Sequence, residues 1–168
     1  MATPATSNSK LNKDAFIEGV DHILAKWTAL ALAVENEWGG SDTEDKRENM
    51  VDEVVEFFNN AAAKRQRPEP TDLEAILLDI MTEDFNISLE DGSEKEVAAR
   101  LTAIFIECIN GNHSTVNKLA EEREAREARD TNANAVKRSQ AAARPDADGS
   151  ESSSEDDDSD SDDAMDED

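Results

Sequence analysis

Carboxylates are the reactive groups this chain carries in quantity. Its 168 residues hold 41 Asp and Glu against 17 Lys and Arg, a net charge of −24. Residues 145–168 hold 13 of those acids and no base, which leaves 28 acids against 17 bases, or −11, in residues 1–144. Such a chain repels nucleic acid and anionic membrane and attracts basic proteins. The run GSESSSEDDDSDSDDAMDED reads in two ways. It is a solubilising tail, or it is a phosphate mimic whose carboxylates, Glu155, Asp156, Asp157 and Asp158 among them, screen the Lys/Arg face of an RNA-binding protein. Contacts of the second kind are weak per charge, salt-sensitive and displaced by RNA. Ser152, Ser153, Ser154 and Ser159 each have an acid three residues on, the pattern an acid-directed kinase uses; each phosphate adds about −1.5 to −2 charge. Asp156, Asp158, Asp160 and Asp162 alternate like the start of an EF-hand loop. The turn glycine, the closing Glu and flanking helices are missing, so no metal site is assigned.

Neutral-pH catalysis has few candidates. His22, His113 and Cys108 are the groups that could serve. His22 lies beside apolar neighbours in a helical pattern, His113 follows a glycine stop, and Cys108 has the phase of a buried thiol, which is usually inert. The chain has no phosphate loop, no metal-spaced Cys/His cluster and no Gly-rich nucleotide fingerprint. No catalytic residue, no cofactor and no enzymatic activity are expected. One cysteine allows no disulfide within a chain, which fits a reducing compartment. The N-terminal MATPATSNSKLNK lacks the apolar core of a secretory signal, and no run approaches the ~18 apolar residues of a membrane span.

Helices must position these groups. The pattern predicts an all-α fold, a single small bundle of four to five helices followed by a disordered acidic C-terminal tail. Phe16, Val20, Ile23, Leu24, Trp27, Leu30, Ala31, Val34 and Trp38 recur every three or four residues, predicting one helix from about Asn12 to Trp38. Gly39 and Gly40 then end it. Ser41 with Glu44, Thr71 with Glu74 and Ser93 with Glu96 have capping-box spacing and open three more helices. Their apolar faces are Met50, Val54, Phe57, Phe58 and Ala61; Leu73, Ile76, Leu77, Ile80 and Met81; and Val97, Leu101, Ile104, Phe105, Cys108 and Ile109. The second stops near Lys64–Arg67, before two prolines. Ile87 and Leu89 form a possible short extended piece before the Asp91-Gly92 turn. A fifth helix, about Ser114 to Arg129, has Val116, Leu119 and Ala120 to pack, with a Glu122–Arg126 pair of favourable order. The organisation is then a disordered N-terminus (1–9), a helical domain (10–129), a flexible linker (130–149) and the disordered acidic tail (150–168). Lys64-Arg65-Gln66-Arg67 reads as a basic helix C-terminus or as a short nuclear-localisation signal.

The segment WTALALAVENEWGG, residues 27–40, resembles the WGG-motif pre-rRNA-processing family, the escortins. Ala33, Val34, Glu35, Asn36, Trp38, Gly39 and Gly40 match its A-V-E-N-x-[WF]-G-G element, and Trp27, Ala29 and Leu30 match the segment before it. Glu90, Asp91, Gly92 and Ser93, followed by Val97 and Leu101, match its x-E-D-G-S element. Glu83-Asp84-Phe85-Asn86 resembles its acidic-Phe pattern. The resemblance covers about residues 14–110 and implies a nuclear and nucleolar escort, with the cytoplasm also open to it. Such a protein takes a newly imported, highly basic small-subunit ribosomal protein (protein twenty-six) from its import carrier, shields it, and passes it to the pre-ribosome. Neither direct nucleic-acid binding nor a membrane is expected.

Two readings of Trp38 remain: a buried anchor on the helix stripe, or part of a turn at a partner groove. Candidate client contacts are the acids that flank the matched motifs: Glu35, Asp42, Glu44, Asp45, Asp79, Glu83, Asp84, Glu90 and Asp91. A general acidic chaperone of histone type is the alternative that charge alone admits. Deleting residues 145–168 is expected to leave the helical circular-dichroism signal nearly intact while lowering the solubility of a bound basic client. A large loss of helix on deletion would show the tail to be structural.

Overall fold

The computed structural model describes residues 5–142, with side chains from residue 9 onward. The tail candidates Glu155, Asp156, Asp157, Asp158, Ser152, Ser153, Ser154 and Ser159 lie outside the described residues. The fold is all-helical, with six helices among the described residues: α1 (Ala5–Lys26), α2 (Thr28–Glu35), α3 (Thr43–Ala63), α4 (Pro70–Glu83), α5 (Ser93–Ile109) and α6 (Ser114–Ala142). Residues through Arg129 belong to one compact unit; from Asp130 the chain belongs to a second, in which α6 continues to Ala142.

The core is continuous from α1 to the start of α6. α1 packs on α5 and α3, and α4 packs on α5. Phe16, Phe58 and Phe105 join α1, α3 and α5 through ring contacts: edge-on at 5.2 and 5.3 Å, stacked at 4.7 Å. Such pairs add roughly 0.5–1.5 kcal/mol beyond the area they bury. Gly19 lets α1 approach closely, since a Cβ there would stand 2.8 Å from Ile104 and 2.9 Å from Val116. Cations tie the helices at the rim. Asp21 on α1 accepts from Arg47 on α3 (2.5 Å) and Arg123 on α6 (2.9 Å), and Lys26 donates to Glu122 (2.5 Å). Burial alone would raise the Asp21 carboxyl, but hydrogen bonds and charge from Arg47 and then Arg123 outweigh it and hold it below its ordinary value.

Several expected boundaries are corrected. The helix expected over Asn12–Trp38 is two helices: it begins at Ala5, breaks at Trp27 and ends at Glu35. Trp27 is extended (φ −73°, ψ 110°) and buried, and its indole N–H donates to Ser93 Oγ on α5 at 2.9 Å. Pairing a buried indole N–H avoids a penalty of about 1–3 kcal/mol, so a tertiary bond takes precedence over helix continuity. Beyond the break the buried phase is Leu30 and Ala33, with Ala31 exposed. Trp38 is not a buried anchor; it is 47 % exposed. Phe57, Ala61 and Ile76 are only half-buried, and Ile109 is exposed.

None of the three capping boxes forms. The cap of α3 is Asp42, and Ser41 Oγ donates to the Asp42 carboxylate instead. The cap of α4 is Glu69, with Pro70 at the first helical position, where its missing N–H costs nothing. The cap of α5 is Gly92, while Asp91 Oδ1 accepts the Ser93 N–H at 3.0 Å. Ser93 is the first residue of α5 and not its cap, and its hydroxyl accepts from the Trp27 indole. Ile87 and Leu89 are half-buried against the core, and the described residues contain no strand. α6 runs past the expected Arg129 into residues expected as linker. Its Ala-, Glu- and Arg-rich sequence has high helix propensity, and Arg123 pairs with Glu127 at 2.9 Å. Glu122 pairs with Lys26, not with the expected Arg126.

The two tryptophans should therefore differ sharply. Trp27→Ala is expected to cost about 3–5 kcal/mol and Trp38→Ala no more than about 0.5 kcal/mol, read from urea melts. A loss at Trp38 equal to that at Trp27 would contradict this assignment.

Candidate functional site

The matched sequence blocks meet in pairs. The first pair is the Trp27 segment and the Glu90–Ser93 element, joined by the Trp27–Ser93 bond. Glu90 and Asp91 stand exposed at that corner. The Asp91 carboxyl lies below its ordinary value, because the Ser93 backbone N–H, and then the Ser93 side chain, bond its charged form. The second pair is the Trp38-Gly39-Gly40 turn and the exit of α4.

That turn is built by short-range geometry. α2 ends when Glu37 takes the left-handed conformation (φ 52°). The Trp38 N–H then bonds Ala33 O (2.9 Å) and the Glu37 N–H bonds Val34 O (3.2 Å), the paired bonds of a Schellman close. Glu37, not Gly39 or Gly40, stops the helix. The glycines serve other ends. Gly40 has φ +84°, which a side chain would strain. Gly39 is buried, and a Cβ there would stand 3.0 Å from Thr43 Oγ1 and 3.2 Å from Asp84 O. Lys46 Nζ bridges the seam, donating to Gly39 O (2.7 Å) and Asp84 O (3.3 Å). Asn86 Nδ2 donates to Trp38 O (3.2 Å). Phe85 is fully buried beneath the turn, while Trp38, Phe85, Asn86, Ile87 and Ser88 line a shallow surface groove.

From this turn α3 and α4 form a hairpin with an open groove. Its floor is apolar, from Phe57 and Ile76; its walls carry Glu53 and Glu56 from α3 and Glu69 and Asp72 from α4, with Lys64 and Arg67 also among the lining residues. Toward the turn, Glu83 and Asp84 extend the acidic wall. Their effect registers on Glu53, whose carboxyl is raised above its ordinary value by partial burial, then by the charges of Asp84, Glu56 and Glu83. Like charges that raise a neighbouring carboxyl mark a locally negative surface.

The expected contact acids divide accordingly. Glu83 and Asp84 belong to the hairpin. Glu35, Asp42, Glu44 and Asp45 are exposed around the turn, Asp79 is exposed on α4, and Glu90 and Asp91 sit at the α5 corner. Glu53, Glu56, Glu69 and Asp72 went unnoticed in the sequence. Their signal was available: Glu53, Glu56 and Asn60 recur at helical spacing on the α3 face opposite the core. Among the motif residues, Ala33 is buried, Val34 half-buried, and Asn36 exposed, with its amide on Leu32 O at 2.8 Å. His22 is buried, within reach of Glu18 and Arg123 at 3.4 Å. His113 bonds Asn12 at 2.9 Å, and the buried Cys108 thiol is pushed up by burial and then Glu107. Among the described residues no cluster of His, Cys, Asp and Glu could hold a metal ion, and no helix is long and apolar enough to cross a membrane.

Residues 16–99 match the model of the WGG family, described as pre-rRNA-processing protein TSR2. The chain is 36% identical over 101 residues to the pre-rRNA-processing protein TSR2 of Saccharomyces cerevisiae, covering 60% of this chain and 47% of that protein. It is 30% identical over 105 residues to the TSR2 homolog of Homo sapiens, covering 62% of this chain and 53% of the homolog. The chain thus spans about half the length of these curated relatives. The NMR solution structure of yeast TSR2(1-152) superposes with a TM-score of 0.57 at 32% identity, covering 67% of this chain and 70% of that one.

The crowding at Glu53 has a measurable consequence. A carboxyl raised above its ordinary value disfavours the fold when ionised; that cost fades as pH falls through the folded pKa and is gone below the unfolded value. Glu53→Gln is expected to raise the melting temperature slightly at pH 7, the effect being small because solvent screens an exposed group, with the gain lost as pH falls through the carboxylate range. A Tm lowered at pH 7 would show Glu53 to be stabilising.

Proposed function

Because this chain belongs to the WGG family of pre-rRNA-processing proteins, we propose that it is a dedicated escort of a highly basic small-subunit ribosomal protein. In this reading it receives the client from its import carrier in the nucleus, shields it, and delivers it to the pre-ribosome in the nucleolus, so supporting pre-rRNA processing. The observation that carries the reading is the acidic hairpin groove. Four carboxylates line it over an apolar floor, and Glu83 and Asp84 add charge toward the turn. A basic segment lying there would pair its Lys and Arg heads with the walls and rest its aliphatic stems on Phe57 and Ile76. Burial of those stems adds an attraction that salt does not screen, and this separates a groove from diffuse charge.

The acids of residues 145–168 supply the second part of the mechanism. Held near the client by the groove, they add many weak contacts at high local concentration. Pre-rRNA, with denser charge, competes for the same basic surface and drives release. No catalytic step is needed, and the activity is binding and transfer.

The test is a pull-down from nuclear extract at ~150 mM salt, comparing the full-length protein, a 1–144 truncation, and the full-length double variant Glu53→Lys/Glu56→Lys. We expect one dominant small-subunit ribosomal protein, retained by the truncation and lost by the double variant. A mixture of histones and other basic proteins that disappears with the tail would establish a general acidic chaperone instead.

A further inference from the structure

Trp38 is held as though for contact. Its indole is 47 % exposed although the backbone around it is fixed on both sides. Its N–H closes α2, its carbonyl accepts from Asn86, and the next carbonyl, of Gly39, accepts from Lys46. Among the described residues three non-glycines have positive φ, and two of them, Glu37 (52°) and Asn86 (56°), flank this indole. Such conformations cost free energy and persist where the surroundings over-determine them, often at binding sites. The ring that fills the core at the turn is Phe85, which is fully buried. The Glu37 conformation closes α2, and the turn that follows leaves the Trp38 indole as an exposed aromatic face beside the short groove lined by Asn86, Ile87 and Ser88.

The charges nearby specify the occupant. Glu37 adjoins Trp38 in the chain, and Glu83 and Asp84 immediately precede Phe85 in the opposite wall. Lys46, the cation at the turn, points to the carbonyls of Gly39 and Asp84 and so is directed at the backbone seam. An exposed aromatic face with acidic residues next to it, and next to its groove, in the chain suits a planar cation that can stack and donate hydrogen bonds in its plane at once. Guanidinium does both; an ammonium is compact, strongly hydrated and cannot stack.

We propose that Trp38 is a docking platform for an arginine side chain of the basic partner, with the guanidinium stacked on the indole and its N–H groups turned to the carboxylates at the turn. The inference rests on the client reading above and adds a selectivity to it: arginine over lysine at one fixed point at the end of the acidic groove nearest α2.

The experiment uses the full-length chain at ~150 mM salt with two probes, the capped tripeptides tri-arginine and tri-lysine. Trp27 is buried, so solvent-sensitive emission reports Trp38, and Trp38→Phe supplies the Trp27 background. We expect tri-arginine to shift and quench the Trp38 component saturably, and tri-lysine, equal in charge, to leave it nearly unchanged. Equal responses, or none, would overturn the proposal. In parallel, the basic small-subunit ribosomal protein is titrated against the wild type, Trp38→Ala, Trp38→Phe and Glu53→Lys/Glu56→Lys, with circular dichroism confirming each fold. Trp38→Ala should weaken binding about five- to thirtyfold, and Trp38→Phe should recover most of it. If Trp38→Ala binds like the wild type while the double variant does not, the platform is refuted and the groove stands. If neither changes binding, both readings fall.

Discussion

The hydrogen bond from the Trp27 indole to Ser93 is the constraint on which the rest of the molecule depends. It joins residues 66 positions apart, and it is made at the residue where the backbone leaves the helix. Without the break, Trp38 would lie eleven residues, or about three turns, beyond Trp27 on the same buried stripe. With it, α2 buries Leu30 and Ala33, and the chain reaches Trp38 at the surface. At the other end of the bond, Ser93 is the first residue of α5, whose cap is Gly92 and whose Ser93 N–H bonds the Asp91 carboxylate. One polar pair therefore ties the break between α1 and α2 to the start of α5.

Electrostatics follow a second logic, that of scarce cations. Four basic residues make ties between elements: Arg47 and Arg123 to Asp21, Lys26 to Glu122, and Lys46 to the Gly39 and Asp84 carbonyls. These ties join α1, α3 and α6 and bridge the turn to the α4 exit. Each is worth little alone at an exposed rim. The α3–α4 groove keeps four carboxylates against two cations, Lys64 and Arg67, in its lining.

Much of this was legible in the sequence, and the failures have physical causes. Apolar periodicity located the helical segments and most of the core, though it merged α1 and α2, because a 3.6-residue repeat reports directly on which side of a helix is buried. It failed at Trp27, where neither Gly nor Pro marks the break and a partner in another helix decides the backbone. It therefore assigned Ala31 and Trp38 to a stripe that no longer exists. The capping boxes failed because their hydroxyls had alternatives: Ser41 bonds Asp42, Ser93 holds Trp27, and Thr71 lies inside a helix that Pro70 had already begun. The glycine rule failed only at α2. Gly111 closes α5 with φ 77° and α3 ends near Lys64 as expected, but α2 closes with Glu37 in the left-handed conformation, and Gly39 is required by close packing, not by a helix stop. Among the acidic candidates near the motifs, Glu83 and Asp84 lie toward the α3–α4 groove, which the other candidates do not line. Glu53 and Glu56 were overlooked because they flank no motif and gain their meaning only when α4 folds back beside them.

Under the escort reading, the acidic groove and the acids of residues 145–168 would answer different needs. A run of carboxylates binds any polycation and is screened by salt, so it gives capacity without choice. A groove with an apolar floor between rigid helices can discriminate, because aliphatic stems must fit while the heads pair. Partial burial, then the charges of Asp84, Glu56 and Glu83, raise the Glu53 carboxyl, so a cation seated in the groove would relieve a cost at Glu53. By mass action such occupancy would stabilise the fold, and the coupling would run both ways. Under the escort reading proposed above, the same cost at Glu53 would weaken the empty groove and favour reloading after release.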